Sequence, residues 1–385
     1  MRVVSSRNWR RVALLGLLTM TLAACPPAVV GPPAAALASP GAQAVLSSAI
    51  CGPRIVVQTN WFPQPEHGAL YQLVVNEGRL DKETGRYSGT ITGTDVTLEI
   101  RAGGPYLGGQ LVPAQMYQDK EIDLGQVGTD QGVRDFGRLP TIGVVAPLEI
   151  SPAILMWAAD RWNFQSFEEI GQSDARLLVF PGAPYLDYLL GKGWIRQEQI
   201  DESYDGSPTR FVSEGNLIQQ GFVSSEPYKY ENEFSQWGGK KIGFLLLNDS
   251  GYAIYSPMLA ARPETIEAKR DCLRAFVPMI QQAQVDYIRS PEAVNRNLIQ
   301  IAKDLASTWT LTEGGVAYAA RAMREYKIVD NGPDKTLGNF DMDRMQRLID
   351  ILVPIYEARR IPQFRADVKP TDVVTNEFID PNIGL

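Results

Sequence analysis

One histidine and three cysteines serve a chain of 385 residues. That scarcity removes whole classes of chemistry. A zinc centre of the usual nitrogen and sulfur type needs several converging ligands, and a lone His67 with no cysteine near it in sequence does not supply them. The patterns G-x-S-x-G, H-E-x-x-H, G-x-x-x-x-G-K-[ST] and G-x-G-x-x-G are all missing, and with them the sequence signals for an activated serine, a zinc hydrolase and the two commonest phosphate-binding loops. No catalytic residue, no metal and no cofactor is therefore assigned. Positive charge is short as well. The 37 Lys and Arg face 44 Asp and Glu for a formal charge of −7, which argues against nucleic acid or an anionic lipid surface as a partner.

Long hydrophobic runs are also missing, apart from one. Val12–Ala23 is an apolar stretch of twelve behind Arg2, Arg7, Arg10 and Arg11. It is too short to span a bilayer and of the right length for a secretory signal. It ends in Leu22-Ala23-Ala24-Cys25, which resembles the bacterial lipobox. The resemblance implies cleavage after residue 24 and diacylation of Cys25, so that acyl chains tether the protein to the cell membrane on its extracytoplasmic side. The alternative is an ordinary secretory signal with an incidental cysteine. Cleavage would remove four arginines and no acid, leaving a charge of −11. Residues 25–51 are rich in Pro and Ala and read as a semi-extended tether. Cys51 and Cys272 are then the cysteines left over. In an oxidising compartment they can pair, or each can stay a buried thiol, and both readings stand.

Some 335 residues follow the tether, more than one hydrophobic core usually covers, so two lobes are expected. From Arg54 the patterning alternates. "RIVVQT" (54–59) reads as a strand and 66–78 as a helix, while 94–104, 121–132 and 141–151 give three more strands. The middle repeats the theme, with strand, turn and helix over 175–193, an apolar stretch and polar aromatic turn over 216–233, and strand, turn, strand over 241–264. The last third carries helical stripes, and the terminus beyond residue 363 is loop-like. This is the patterning of an α/β protein with parallel sheets.

In open α/β sheets a ligand sits beyond the carboxyl ends of the strands. Four stretches fall there: Asn60–His67, Ala102–Tyr106, Gln126–Asp130 and Phe180–Tyr185. The first, "NWFPQPEH", sets Trp61 and Phe62 in a frame stiffened by proline, which presents a ring at low entropic cost. A plain core aromatic is the alternative for Trp61. Tyr228 and Tyr230 in "SSEPYKYE" offer rings from further along, with Glu226 beside them as an acceptor. A flat heterocycle can stack between such rings for about 1 kcal/mol each.

These stretches resemble the extracytoplasmic solute-binding proteins of ABC importers, in the branch that binds thiamine-pyrimidine precursors, riboflavin, alkanesulfonates and nitrate. "WFPQPEHGALYQLVVNEG", "VTLEIRAGGP" with "QLVPAQMYQDKEIDLGQVGTDQ", "QQGFVSSEPYKYE", and the run from "YSPMLAARPE" to "SPEAV" carry the resemblance over most of residues 54–300. It implies a two-lobed periplasmic-binding-protein-like (type II) fold. Lobe one would be 52–140 plus 248–385 and lobe two 141–247, with hinge crossings near Val144–Ile150 and Leu246–Ser250. Both Cys51 and Cys272 would then lie in lobe one, where a disulfide is geometrically allowed. The same resemblance implies a monomer that closes over a small molecule and docks on a permease and its ATPase.

The ligand contacts expected are Trp61 and Tyr228 for stacking, supported by Phe62, and Glu66, His67 and Glu226 for edge hydrogen bonds. Gly182, Ala183 and Tyr185 are assigned to a polar or phosphate-like end, and Gly104, Gly128, Thr129 and Asn248 complete the set. A pyrimidine or flavin-like ring is the expected ligand and a sulfonate or nitrate the alternative. A pyrimidine-precursor synthase, which shares the fold, is the rival class. It is disfavoured because its cysteine-rich run is missing here.

Overall fold

The computed structural model describes residues 45–305, 309–362 and 364–385. The signal-like segment, Cys25 and nearly all of the tether lie outside the described residues. The packed structure begins earlier than residue 52. Leu46 is buried in the core, and Ser48–Cys51 forms a short helix held to Asp95 through Ser48.

Twelve strands follow in chain order: β1 (Arg54–Gln58), β2 (Arg79–Asp81), β3 (Arg86–Thr90), β4 (Thr97–Arg101), β5 (Leu124–Val127), β6 (Ile142–Val145), β7 (Ala153–Ala158), β8 (Arg176–Leu178), β9 (Ile200–Asp201), β10 (Leu217–Phe222), β11 (Ile242–Leu246) and β12 (Met258–Ala261). They make two sheets, in the orders β2-β3-β4-β1-β5-β12-β6 and β11-β7-β10-β8-β9. In the first sheet β1 pairs in parallel with β4 and β5. Its β-branched run is buried on both faces, as central parallel strands are. The second sheet is parallel across β10, β8 and β9, with β7 and β11 antiparallel at its other side.

The chain passes between the sheets twice, through residues 146–152 and 247–257. The first boundary therefore falls after β6 rather than at 141. β6 pairs with β12 in the first sheet, because its apolar run continues that sheet's core. The hairpin β2–β3 was not legible as strands, although Asp81 starts its turn with bonds to the backbone N–H groups of Glu83 and Thr84. The helix expected over 66–78 is shorter. It opens as a 3₁₀ turn, Pro65–His67, continues as Gly68–Gln72 and then loosens into turns. The polar turn expected after β10 is a helix, Glu226–Asn232.

Cys51 is bonded to Cys272, across 221 residues of sequence, with the Cα atoms 4.8 Å apart. The link fastens the N-terminal helix to the long helix Arg270–Arg289. The terminal segment packs on β6, where Val374 bridges Gly143 and covers the sheet edge. Arg344, in the helix Met342–Arg359, holds both crossings. It donates to the carbonyls of Ala253 and Ile254 in the second, and to the carbonyl and carboxylate of Glu149 in the first, all at 2.7–2.9 Å.

Candidate functional site

The carboxyl ends of β1, β9 and β10 converge on one cavity between the sheets, of about 80 Å³. The first lobe contributes Asn60, Trp61 and Gln64 from the loop after β1. Tyr204 and the Gln220–Phe222, Ser225 and Glu226 stretch come from the second lobe. Trp309, between the helices Glu292–Asp304 and Glu313–Glu325, closes one wall.

The loop after β1 is held from beneath. The Thr59 hydroxyl lies 2.8 Å from the Trp61 carbonyl and 2.9 Å from that of Arg101, and the Gly103 N–H donates to the same Trp61 carbonyl. Gln58 donates to three carbonyls at the ends of β1 and β4. Two glycines permit the close approach. A Cβ on Gly103 would stand 1.9 Å from the Thr59 carbonyl oxygen, and one on Gly104 (φ +63°) would stand 2.7 Å from the Trp61 indole. Gly104 therefore seats Trp61, and does not line the cavity itself. Trp61 meets Phe180 and Trp309 edge-on. Phe62 lies behind it, stacked on Trp309 at 9°.

His67 is buried with its Nε2 3.2 Å from the Asn60 side-chain oxygen. Burial lowers its pKa to about 3, so the ring is neutral and donates from Nε2. It aims Asn60 into the cavity and lies outside the lining. Glu66 is likewise one step back. It accepts from the Ser224 hydroxyl across the cleft, and burial pushes its carboxyl up despite that bond. A smaller compartment shares Gln64, Ser225 and Trp309 with the cavity as walls, and Glu66 and Lys229 line it. The Lys229 ammonium lies 3.4 Å from the centre of the Trp309 ring. Burial lowers its pKa, while Glu226, Glu233 and Glu66 oppose that shift.

Of the residues named from sequence, Trp61 and Glu226 line the main cavity. The others are distributed around it for stated reasons. Tyr228 stacks on Tyr318 at 5.3 Å and packs over Gly314, so it cannot face Trp61 across a ligand. Tyr230 is buried in the second lobe against Phe211 and Trp237. Tyr185 donates to Gln220 and so positions a lining residue. Gly182 accepts from Arg134 of the other lobe, and Ala183 caps the helix Pro184–Gly191. Neither makes a polar pocket. Gly128 and Thr129 follow β5 and brace the second crossing: Thr129 exchanges bonds with Tyr255, and the neighbouring Asp130 accepts from Tyr252. Asn248 lies within that crossing, its side-chain oxygen buried without a donor among the described residues.

Sequence reasoning missed Trp309, Lys229, Gln64, Tyr204, Gln220 and Phe222. Gln64 and Lys229 sit inside stretches already singled out and were passed over for their aromatic neighbours. Trp309 had no local signal, because it reaches the cleft only through the return of the C-terminal helices. Among the described residues no group of three or more His, Cys, Asp or Glu is placed to hold a metal, and no helix is long and apolar enough to cross a membrane.

No family model matches the chain, and no curated protein is similar in sequence. Solved structures are similar in fold. A protein of Bordetella bronchiseptica RB50 superposes with TM-score 0.54 at 14% identity, over 85% of this chain and 95% of the other. The alkanesulfonate-binding protein SsuA of Xanthomonas axonopodis pv. citri, bound to MOPS, gives 0.52 at 11% over 84% and 98%. The periplasmic aliphatic sulphonate binding protein SsuA of Escherichia coli gives 0.51 at 11% over 86% and 93%. The fold is thus the two-lobed, type II fold of periplasmic binding proteins.

Proposed function

We propose that the protein is the extracytoplasmic ligand-capturing component of an ABC importer, anchored through lipid on Cys25, that closes its lobes over one small molecule and presents the closed form to a permease. One observation carries the reading. Side chains from both lobes line the same cavity, so a ligand that touches both stabilises the closed arrangement over the open one. The contacts across the cleft are polar, as in Glu66 with Ser224 and Arg134 with the Gly182 carbonyl, and aromatic, as in Trp61 with Phe180 and Tyr228 with Tyr318.

The cavity's volume narrows the ligand. About 80 Å³ is well below the roughly 300–1,000 Å³ of sites for drug-sized molecules, so a flavin is too large for this arrangement. Stacking between Trp61 and Tyr228 is not part of the proposal, since Tyr228 is engaged by Tyr318. A sulfonate is the second reading. Two solved structures of this fold bind sulfonates, and the buried Lys229 ammonium, with no carboxylate in ion-pair contact among the described residues, is the observation that favours it.

The test is small-angle scattering on protein stripped of small molecules by mild unfolding and refolding. Returning the released small-molecule fraction is expected to lower the radius of gyration as the lobes close. No change on its return, with refolding complete, would count against capture by closure.

A further inference from the structure

The main cavity has one charged residue in its lining, and that residue is acidic. Glu226 is 8% exposed. One of its carboxylate oxygens accepts from the Phe222 N–H at 2.6 Å, and no other side chain of the described residues hydrogen-bonds the carboxylate. Gly221 makes room for it: a Cβ there would stand 2.8 Å from the Glu226 side chain. Among the described residues no Lys or Arg lines this cavity. Lys229, the nearest cation, faces the smaller compartment, where its ammonium lies over Trp309 and not in ion-pair contact with either carboxylate. Glu66 faces that compartment too, so the buried groups of the cleft count two carboxyls to one ammonium.

The remaining walls are aromatic and amide. Trp61 and Trp309 stand at 84° to each other, with Tyr204 and Phe222 beside them. An indole face attracts a cation through its quadrupole, more strongly where water is excluded. Lys229 shows that the cleft already holds an ammonium this way. Gln64, 3% exposed, lines both compartments and makes no side-chain hydrogen bond among the described residues, which leaves its amide available to a molecule in the cavity.

Resting on the proposed capture function, we infer that the ligand is a small organic cation, an alkylammonium of a few carbons, with its nitrogen at the Glu226 carboxylate and its alkyl part against Trp61. A sulfonate in the same place would set like charge against Glu226 in a poorly solvated cavity, where opposed charges are costly. The pH dependence separates the two classes. The groups facing Glu226 are Lys229, Glu66, Tyr204 and Tyr230. Burial pushes both carboxyls up and the Lys229 ammonium down. Raising pH therefore ionises Glu226 and Glu66 and discharges Lys229, and every one of these steps favours a cation over an anion.

The experiment is isothermal titration of the folded, ligand-stripped chain with n-butylammonium and with 1-butanesulfonate, at about pH 5.5 and about pH 8. Butylammonium is expected to bind at one site, more tightly at the higher pH. Glu226→Gln, which keeps the shape and can still accept from Phe222, is expected to weaken it by about tenfold or more with the melting temperature little changed. The wild-type pH slope stands as evidence even if that variant fails to fold. Tighter binding of butanesulfonate, or a butylammonium affinity that falls as pH rises, overturns the cation assignment. So does binding of neither probe. If neither binds but native mass spectrometry shows a retained neutral or anionic molecule, capture survives and only the ligand class is lost. If nothing is retained either, the capture reading fails with it.

Discussion

Lys229 and Trp309 meet across the cleft, ammonium to ring centre, at 3.4 Å. The lysine belongs to the helix after β10 in the second lobe, and the tryptophan to the C-terminal return of the first. The contact is thus one that would part in the proposed opening of the lobes, and it carries a buried charge on one side only.

Replacing that charge should act on ligands in opposite directions. Lys229→Met keeps the length and apolar body of the side chain while removing the ammonium. Binding of a cationic probe is expected to strengthen by a few-fold and that of a sulfonate to weaken, with little change in thermal stability, because the lost cation–π attraction of about 1–2 kcal/mol is offset by relief of desolvation. Parallel titrations of wild type and variant check this. Equal weakening of both probes would show that Lys229 only shapes the wall.

Trp61 and Phe62 are adjacent in sequence and should separate in phenotype. Phe62 is buried and stacked on Trp309, so Phe62→Ala should cost about 3–5 kcal/mol of stability. Trp61 is only partly buried and faces the cavity. Trp61→Ala should abolish ligand retention at a smaller cost in melting temperature. Gly104→Ala, which pushes on the indole from below, should resemble Trp61→Ala more than Phe62→Ala. Chemical denaturation with a retention assay reads both quantities.

The disulfide ties the start of the fold to its longest helix across 221 residues. Reducing it, or making the Cys51→Ser/Cys272→Ser pair, is expected to lower stability by about 2–5 kcal/mol. Ligand affinity should change little, because neither cysteine approaches the cleft. Melting curves with and without reductant, alongside titration, make the comparison.

Glu149 gives the crossings a pH signature. Burial pushes its carboxyl up to about 7, although Arg344 is in contact and Asp330 and Asp341 add to the rise. The folded chain therefore keeps a proton that the unfolded chain loses near its ordinary value of 4.5. Stability from this group is fully present below about pH 4.5 and is lost as pH rises through about 7. Glu66, Asp130 and Glu226 are shifted in the same direction and add to the same slope. Glu149→Gln is expected to remove about 2–3 kcal/mol of the decline between those pH values. An unchanged slope in its denaturation series would place the titration elsewhere.

Much of the architecture was legible because alternating strands and helices leave local marks. The run at 54–59 reads as a strand, and the Pro-x-Pro frame after it marks a stiff loop at the strand's carboxyl end. The short hairpin β2–β3 was not legible, since three- and five-residue polar strands carry little pattern. The site was half legible. Trp61 and Glu226 stand where strand ends point. Tyr228 misled, because a ring on a helix can turn to a neighbour, here Tyr318, that only the tertiary fold supplies. Two glycines in the strand-end loops do packing work: Gly104 seats an indole, and Gly128 leaves room for Asp130. Trp309 was invisible for the same nonlocal reason that brings it to the cleft. The solitary His67 was conspicuous in sequence, yet its role is to orient Asn60.

Native mass spectrometry of the protein purified without unfolding tests the central claim most directly, with wild type and Trp61→Ala run side by side. One small molecule per wild-type chain, released on gentle activation and missing from a folded Trp61→Ala, is the predicted result. A wild-type chain that carries nothing, even after exposure to a small-molecule extract, would contradict capture in the cleft, as would an adduct that Trp61→Ala retains undiminished.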